Sequence, residues 1–330
     1  MKKIIFCLFA LSTFSCFSQD RLGMYHVDKI TSPNDTIAYF KHDMSLVSGI
    51  VYETYRNGDL KYKIEYKNGL LHGIYNWWNY SGQITHELVF KNGKRHGECK
   101  WRNDYSQLTD IETYSEGVFN GEVSRWYENG QPKSQQNFIQ GEKDGECKYW
   151  YENGQLKSQQ NFIQGEKDGE CKYWHENGQL EVIENFDNGK ESGLFKKWHK
   201  DGKAKWNFNY SNGLLHGVSK WWNKNGQLSA LETYKEGKLH GLYQKWNDNG
   251  RLINEFNYRS GIKEGICQSW YNNGEIESYA KYNNGLDDAI IKYYNNNGQL
   301  ISSTIYLKGD IISKKCWNYN GEEIDCEDVD

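Results

Sequence analysis

Large apolar residues recur along this chain at fixed distances, with glycines marking others. From Gly145 to Asp168 it reads GECKYWYENGQLKSQQNFIQGEKD, and the segments beginning at Gly121 and Gly169 repeat much of it. Steps of 24 residues land on Gly49, Gly73, Gly97, Gly121, Gly145, Gly169, Gly193, Gly217, Gly241 and Gly265, then on Ala289, with no insertion or deletion. Eleven repeats run from Gly49 to Ile312. A short fixed period marks an array in which no unit buries its apolar face alone and each leans on its neighbours.

Offsets are counted from the leading glycine. Offset 5 is Trp78, Trp126, Trp150, Trp174, Trp198, Trp222, Trp246 and Trp270, with Tyr294 in the last repeat. Offset 17 is always Tyr or Phe: Tyr66, Phe90, Tyr114, Phe138, Phe162, Phe186, Tyr210, Tyr234, Tyr258, Tyr282 and Tyr306. Offset 9 is Gly except at Ser106, offset 20 is Gly throughout, and offset 11 is usually Leu or Ile. A two-residue turn at Asn153 and Gly154 would set Trp150 against Lys157. A three-residue loop, Glu152 to Gly154 with the glycine left-handed, sets Trp150 against Leu156 instead and is the better reading. Strand alternation then predicts offsets 5, 11 and 17 on one face, giving two aromatic ladders along it.

A second turn from offset 18 onward, as in Lys67 to Gly73, joins each hairpin to the next. The prediction is an all-β, elongated antiparallel meander of tandem 24-residue hairpins. Twenty-two strands about 4.8 Å apart give a twisted rod on the order of 100 Å long, which offers surface in place of a deep cleft. Repeat Gly97 carries Trp101 at offset 4 and Arg102 at offset 5, so a local irregularity is expected there.

The ends lose the period. Lys2 and Lys3, the apolar run Ile4 to Leu11 and a small-polar stretch have the layout of a Sec-type signal peptide, residues 1–18, cleaved after Ser18. This places the chain in a periplasm, at a cell surface or in the medium; lipid attachment at Cys16 is the alternative. The apolar run falls short of the ~20 residues that span a bilayer, so no stable membrane span is expected. Residues 19–48, with a turn at Ser32 to Asp35 and a strand over Thr36 to Phe40, read as an N-terminal cap that covers an exposed strand edge. Residues 313–330, where Trp317 and Gly321 fit the pattern only when counted from Ile312, read as a C-terminal cap.

Composition adds two constraints. Aromatic residues make up 15% of the chain against 37% for all hydrophobic ones, so rings replace much aliphatic packing. The 33 Gly and 2 Pro leave turn formation to glycine and almost nothing to interrupt strand pairing. Net charge is −4, and −6 without Lys2 and Lys3, which argues against a nucleic-acid partner.

The chemistry-bearing residues fall into the repeat. Cys99, Cys147, Cys171 and Cys267 share offset 2 with Val51, Tyr75, Phe195 and Ile291, so they read as packing thiols; two strand spacings exceed the ~7 Å reach of a disulfide. Cys316 and Cys326 break the pattern and are a candidate disulfide stapling the last hairpin. His72, His96, His216 and His240 share offset 23 with Asn120, Asp144, Asp168 and Ser192, which marks a turn position wanting a short polar side chain rather than a metal ligand. Lysines at offset 3, such as Lys148 and Lys172, are expected to lay their stems across the Trp ladder. No catalytic set stands outside the periodic background, so no catalytic residue, metal or cofactor is assigned.

The repeats GLYQKWNDNGRLINEFNYRSGIKE at Gly241 and GVSKWWNKNGQLSALETYKEGKLH at Gly217 resemble the MORN-repeat variant of bacterial antitoxin-like proteins of the YwqK type. The resemblance covers 49–312 and implies a hairpin array that acts by binding; some members of that family neutralise a co-encoded toxin, and the wider class is linked to membrane lipids and protein scaffolding. The function expected is an exported, non-enzymatic scaffold for protein–protein interaction, of antitoxin or immunity type. The alternative is a cell-wall or carbohydrate-binding module that stacks sugars on exposed Trp.

Overall fold

The computed structural model describes residues 15–18, 21–23, 27–31, 36–40 and 43–328. Residues 1–14 of the expected leader and the expected turn at 32–35 lie outside them. The chain is all-β, an antiparallel meander of tandem hairpins, in two compact bodies, Met1–Glu166 and Lys167–Asp330.

Each repeat is one hairpin closed by the three-residue loop. In the repeat at Gly145, Tyr151 N–H donates to the Gln155 carbonyl at 2.8 Å, Gly154 N–H donates to the Tyr151 carbonyl at 2.9 Å, and Gly154 sits at φ +83°. The same loop forms in repeat Gly97, where Ser106 takes φ +63° in place of glycine. The irregularity expected there is absent: Arg102 faces Leu108 in the common register. A polar side chain at φ near +60° costs little enough for the loop to keep its shape.

The pairing within the hairpin overturns one expectation. Trp150 faces Leu156, yet Tyr149 faces Ser158, so Lys157 and Ser158 together stand opposite Tyr149. This β-bulge adds one residue to the second strand and reverses its alternation. Leu156 shares a side with Trp150, whereas Phe162 faces Gly145 on the other side, with Cys147 and Tyr149. The same shift recurs at Tyr173/Trp174, Lys197/Trp198, Trp221/Trp222, Lys245/Trp246 and Ser269/Trp270. Offsets 5 and 11 therefore share one face, here face B. Offset 17 belongs to the opposite one, face A, and the single shared aromatic face expected from strict alternation is not formed.

Successive hairpins are joined by tight turns in which both central residues have positive φ, as at Asn188 (+47°) and Gly189 (+78°) between the paired Asp187 and Lys190. That combination is the primed turn whose twist suits antiparallel strands. Offset 23 serves the same turn. Asp168 Oδ1 accepts the Asn188 N–H at 3.1 Å, Asn120 Oδ1 the Gln140 N–H at 3.2 Å, and His240 Nδ1 the Ser260 N–H at 3.4 Å. A compact acceptor is what that position requires, which is why Asn, Asp and His share it.

At the N-terminal end, strand Thr36–Phe40 pairs with Val27–Thr31 and continues the turn column: Ala38 N–H donates to the Gly69 carbonyl and Gly69 N–H to the Val47 carbonyl, both at 2.8 Å. Ala38 and Val47 pack with Val51, Tyr62, Ile64 and Tyr66 of the first repeat. Ser15–Ser18 forms a strand against Gly49–Thr54. At the other end Asp310–Trp317 pairs with Leu300–Leu307 one residue out of the common register, Ser302 facing Cys316. Cys316 and Cys326 are disulfide-bonded, with Cα atoms 5.1 Å apart.

Candidate interaction faces

Face A is the packed side of the sheet. Offset 2 supplies its most buried side chains, among them Val51, Val123 and the thiols of Cys99, Cys147 and Cys171, all at or below 1% exposure. Burial pushes the thiols of Cys99, Cys147 and Cys267 up from their ordinary range, as expected of packing groups. Offsets 4, 13, 15 and 17 add rings. In the N-terminal body Tyr75 lies 6.2 Å from Phe90, and Tyr114 and Phe138 flank Phe119 at 4.9 and 5.2 Å. In the C-terminal body Phe195 lies 4.7 Å from Tyr210, Trp206 stacks on Phe208 at 4.4 Å and Tyr243 stacks on Phe256 at 5.6 Å.

Cations cover these rings, but not those expected. The Arg95 guanidinium lies 5.1 Å from Trp101 and 5.3 Å from Tyr114, Lys143 Nζ 5.1 Å from Phe162, Lys167 Nζ 4.6 Å from Phe186 and Lys263 Nζ 4.3 Å from Phe256. All four occupy offset 22. Of the offset-3 lysines, Lys100, Lys148 and Lys172 pair instead with Glu98, Glu146 and Glu170 two residues earlier, each at 2.6 Å, because offsets 1 and 3 share face B.

Face B carries the predicted indoles. Trp78, Trp126, Trp150, Trp174, Trp198, Trp222, Trp246 and Trp270 are all half-buried there, beside offset 11, while Tyr66 through Tyr306 at offset 17 stand on face A, buried or half-buried. A polar ladder at offset 16 runs next to the indoles. Asn137, Asn209 and Asn257 donate Nδ2 to the carbonyls of Glu146, Val218 and Ile266 at 3.1, 3.0 and 2.9 Å, and Thr233 donates Oγ1 to Leu242 at 3.0 Å. These bonds bridge the stretch where backbone pairing between repeats is interrupted, and so satisfy carbonyls that the sheet leaves open.

Two grooves open on face A where Trp occupies offset 4. One, about 290 Å³, is lined by Tyr75, Trp77, His86 and Leu88; burial and then the Arg95 charge lower the His86 pKa, and its Nδ1 is 2.9 Å from Thr85 Oγ1. The other, about 570 Å³, lies in the C-terminal body between Trp206 and Trp221. Among the described residues no three His, Cys, Asp or Glu side chains gather as a metal site. No described helix is long and apolar enough to cross a membrane. The adjacent Trp77–Trp78 and Trp221–Trp222 pairs signalled in the sequence that indoles occupy both faces, since neighbouring strand residues point apart.

Comparison with known proteins is consistent with the repeat. The family model described as the MORN repeat variant matches residues 48–68, 119–140, 143–164, 167–188, 215–236 and 263–284. No curated protein matches. Among solved structures, the TcdB2-TccC3-TEV crystal structure is 11% identical, covering 93% of this chain and 20% of its own, with a TM-score of 0.19. The Photorhabdus luminescens Tc holotoxin pore is 12% identical, covering 90% and 19%, with a TM-score of 0.17. The chain spans about a fifth of those proteins' length, and superpositions at that level carry no argument.

Proposed function

Because this chain belongs to the MORN repeat variant family, whose repeats are of a non-catalytic interaction type, we propose that it is a scaffold that holds another protein through face B of its C-terminal body. The observation that carries this reading is a change at offset 1. Glu98, Glu122, Glu146 and Glu170 occupy it in four central repeats, and Leu194, Val218, Leu242, Ile266 and Ile290 in the next five.

Three of those five apolar side chains are exposed. Val218, Ile266 and Ile290 are 38%, 47% and 39% exposed, and Leu214, Ile262 and Leu286 beside them at offset 21 are exposed by half or more. A column of this kind on a regular sheet is the sort of patch that marks a protein contact. Its strands are already paired on both sides along the meander, so a partner binds by side-chain packing and not by adding a strand.

Export, inferred from Lys2, Lys3 and the run Ile4 to Leu11, puts the partner outside the cytosol. The narrower immunity reading makes that partner a toxin. Affinity capture with the exported protein, comparing the native chain with an Ile266→Lys, Ile290→Lys double variant, tests the proposal. One protein enriched by the native chain and lost at least ten-fold by the variant supports it; equal recovery on both, or no enrichment on either, defeats it.

A further inference from the structure

We propose that the larger groove on face A of the C-terminal body is a binding site for a neutral glycan. It lies at the loop end of the hairpins, around Trp206, Trp221 and the loop Asn223 to Asn225, whereas the protein-binding column at offsets 1 and 21 lies at the opposite, turn end.

The groove has aromatic walls held at a fixed angle. Trp206 and Trp221 are direct cross-strand partners on adjacent strands. Trp206 lies parallel to Phe208, with an interplanar angle of 2° and 4.4 Å between centroids, and Phe208 meets Trp221 at 55° and 5.0 Å. The two indoles are thus inclined by roughly 55° and form the sides of a trough. Phe208, in contact with both rings, fixes that geometry before any ligand arrives. A pyranose presents apolar C–H groups on its faces and hydroxyls around its rim, so inclined indoles suit its faces while leaving the hydroxyls to polar groups beside the walls.

The polar groups are present and unused. His199 lines the trough, while its Nε2 is enclosed and out of a ligand's reach. Lys205 and Asp248 also line it. Neither makes a hydrogen bond or ion pair with the described residues, so an ammonium donor and a carboxylate acceptor remain available to hydroxyls. Lys224 lines the trough as well, so two ammonium groups stand against one carboxylate, and a single net positive charge does not by itself select a polyanion over a neutral sugar. A volume of about 570 Å³ is within the range of small-ligand sites.

The smaller groove at Tyr75 and Trp77 lacks this set: its polar liner, His86, already meets Thr85. One aromatic groove is therefore equipped for hydroxyls and the other is not.

The test is titration of the whole protein with cellotetraose and chitotetraose, and with polygalacturonate as an anionic probe, followed by intrinsic Trp fluorescence and calorimetry. The expected result is saturable binding of at least one neutral tetrasaccharide. It should weaken ten-fold or more in Trp206→Ala and in Asp248→Ala, with little change in Trp270→Ala, whose indole is on face B. Circular dichroism checks that each variant keeps its sheet, and Asp248→Ala, at an exposed loop position, keeps the test open if Trp206→Ala misfolds. No saturable binding of either neutral sugar, binding of polygalacturonate alone, or binding unchanged in a folded Asp248→Ala would overturn the proposal. Capture of a protein partner is unaffected by any of these outcomes, so the two readings fail separately.

Discussion

Tyr114 donates its phenolic hydrogen to Glu112 two residues earlier on the same strand, and Arg95 Nη1 donates to the phenolic oxygen at 2.7 Å. Arg125 Nη2 completes the cluster by donating to Glu112 Oε1 at 2.7 Å. The phenol is held neutral, because burial first and the Glu112 hydrogen bond second push its pKa up to about 12. Tyr62, Tyr66 and Tyr234 are shifted in the same direction, burial again leading. A folded-state pKa above the unfolded value means the unfolded chain loses its proton first as pH rises. The stabilisation is complete below pH 10.0, the ordinary tyrosine value, and is lost as pH climbs toward the folded pKa. Melting temperature should therefore fall between about pH 10 and 12 more steeply in the native chain than in Tyr114→Phe. Equal slopes would mean that this phenol is not coupled to folding.

Two glycines separate backbone strain from crowding. Gly58 lies at φ +93° with nothing within 4 Å of the place a methyl group would take, while Gly69 lies at φ +77° with Ile37 Cγ2 at 2.8 Å and the Ala38 carbonyl oxygen at 2.9 Å from that place. Gly58→Ala should cost about 1–2 kcal/mol from left-handed strain alone. Gly69→Ala should cost more, because the cap strand must also retreat and its bond to the Gly69 carbonyl at 2.8 Å be disturbed. Denaturant unfolding of the two variants checks the order; an equal cost would show that the cap does not press on the first repeat.

Thiol counting tests the two ends of the chain. Cys99, Cys147, Cys171 and Cys267 are buried, so they should react with a thiol reagent only in denaturant. A chain cleaved after Ser18 would then give four thiols before reduction, and a chain keeping Cys7 and Cys16 would give more. Reducing the Cys316–Cys326 bond, which spans 10 residues, should lower the stability of the last hairpin by about 2–3 kcal/mol on a loop-entropy account. Hydrogen exchange at Asp310–Trp317 that is unchanged by reductant would remove that role.

At Asn257 the side chain replaces a missing backbone bond, donating to the Ile266 carbonyl at 2.9 Å. Asn257→Ala should cost about 1 kcal/mol, in the range of a single hydrogen bond. Asn257→Asp should cost more, since a carboxylate offers the carbonyl no hydrogen at neutral pH. If Asp and Ala are equivalent by thermal unfolding, the bond contributes little.

Much of this structure is legible in the chain itself. The 24-residue period, the three-residue loop at Glu152 to Gly154 and the left-handed glycines follow from side-chain identity, because glycine adopts those angles at least cost; the left-handed residue before each turn glycine is less legible, since Glu116, Gln140 and Lys308 hold it as well as Asn188. The turn role of offset 23 is visible in the exchange of Asn, Asp and His. What is not legible is the side on which Phe162 emerges. That depends on one unpaired residue, Lys157, which has no distinguishing composition: Ser229, Glu277 and Ile253 fill the same place in other repeats. The groove at Trp206 and Trp221 is hidden for the same reason, since its walls come from offsets 13 and 4, which share a face only once the bulge is counted.

The bulge is therefore the feature by which the assignment of faces can be tested. Lys157 Nζ lies 5.5 Å from the Tyr151 ring, a contact worth about 0.5–1 kcal/mol at an exposed site, so Lys157→Ala should be mild. Deleting Lys157 is a different perturbation. It removes the residue in excess, so that with the loop register kept Ser158 follows Leu156 directly and Ser158, Gln160 and Phe162 stay on face A. Phe162, 9% exposed in the native chain, would keep the cover of Lys143 and its place beside Cys147. The deletion should therefore cost less than removing a buried phenyl group, about 3–5 kcal/mol. Urea unfolding of both variants, with Cys147 reactivity as a local readout, decides it: a loss of about 3–5 kcal/mol with Cys147 made reactive would show that Phe162 has left face A and that the pairing does not close up across the deletion.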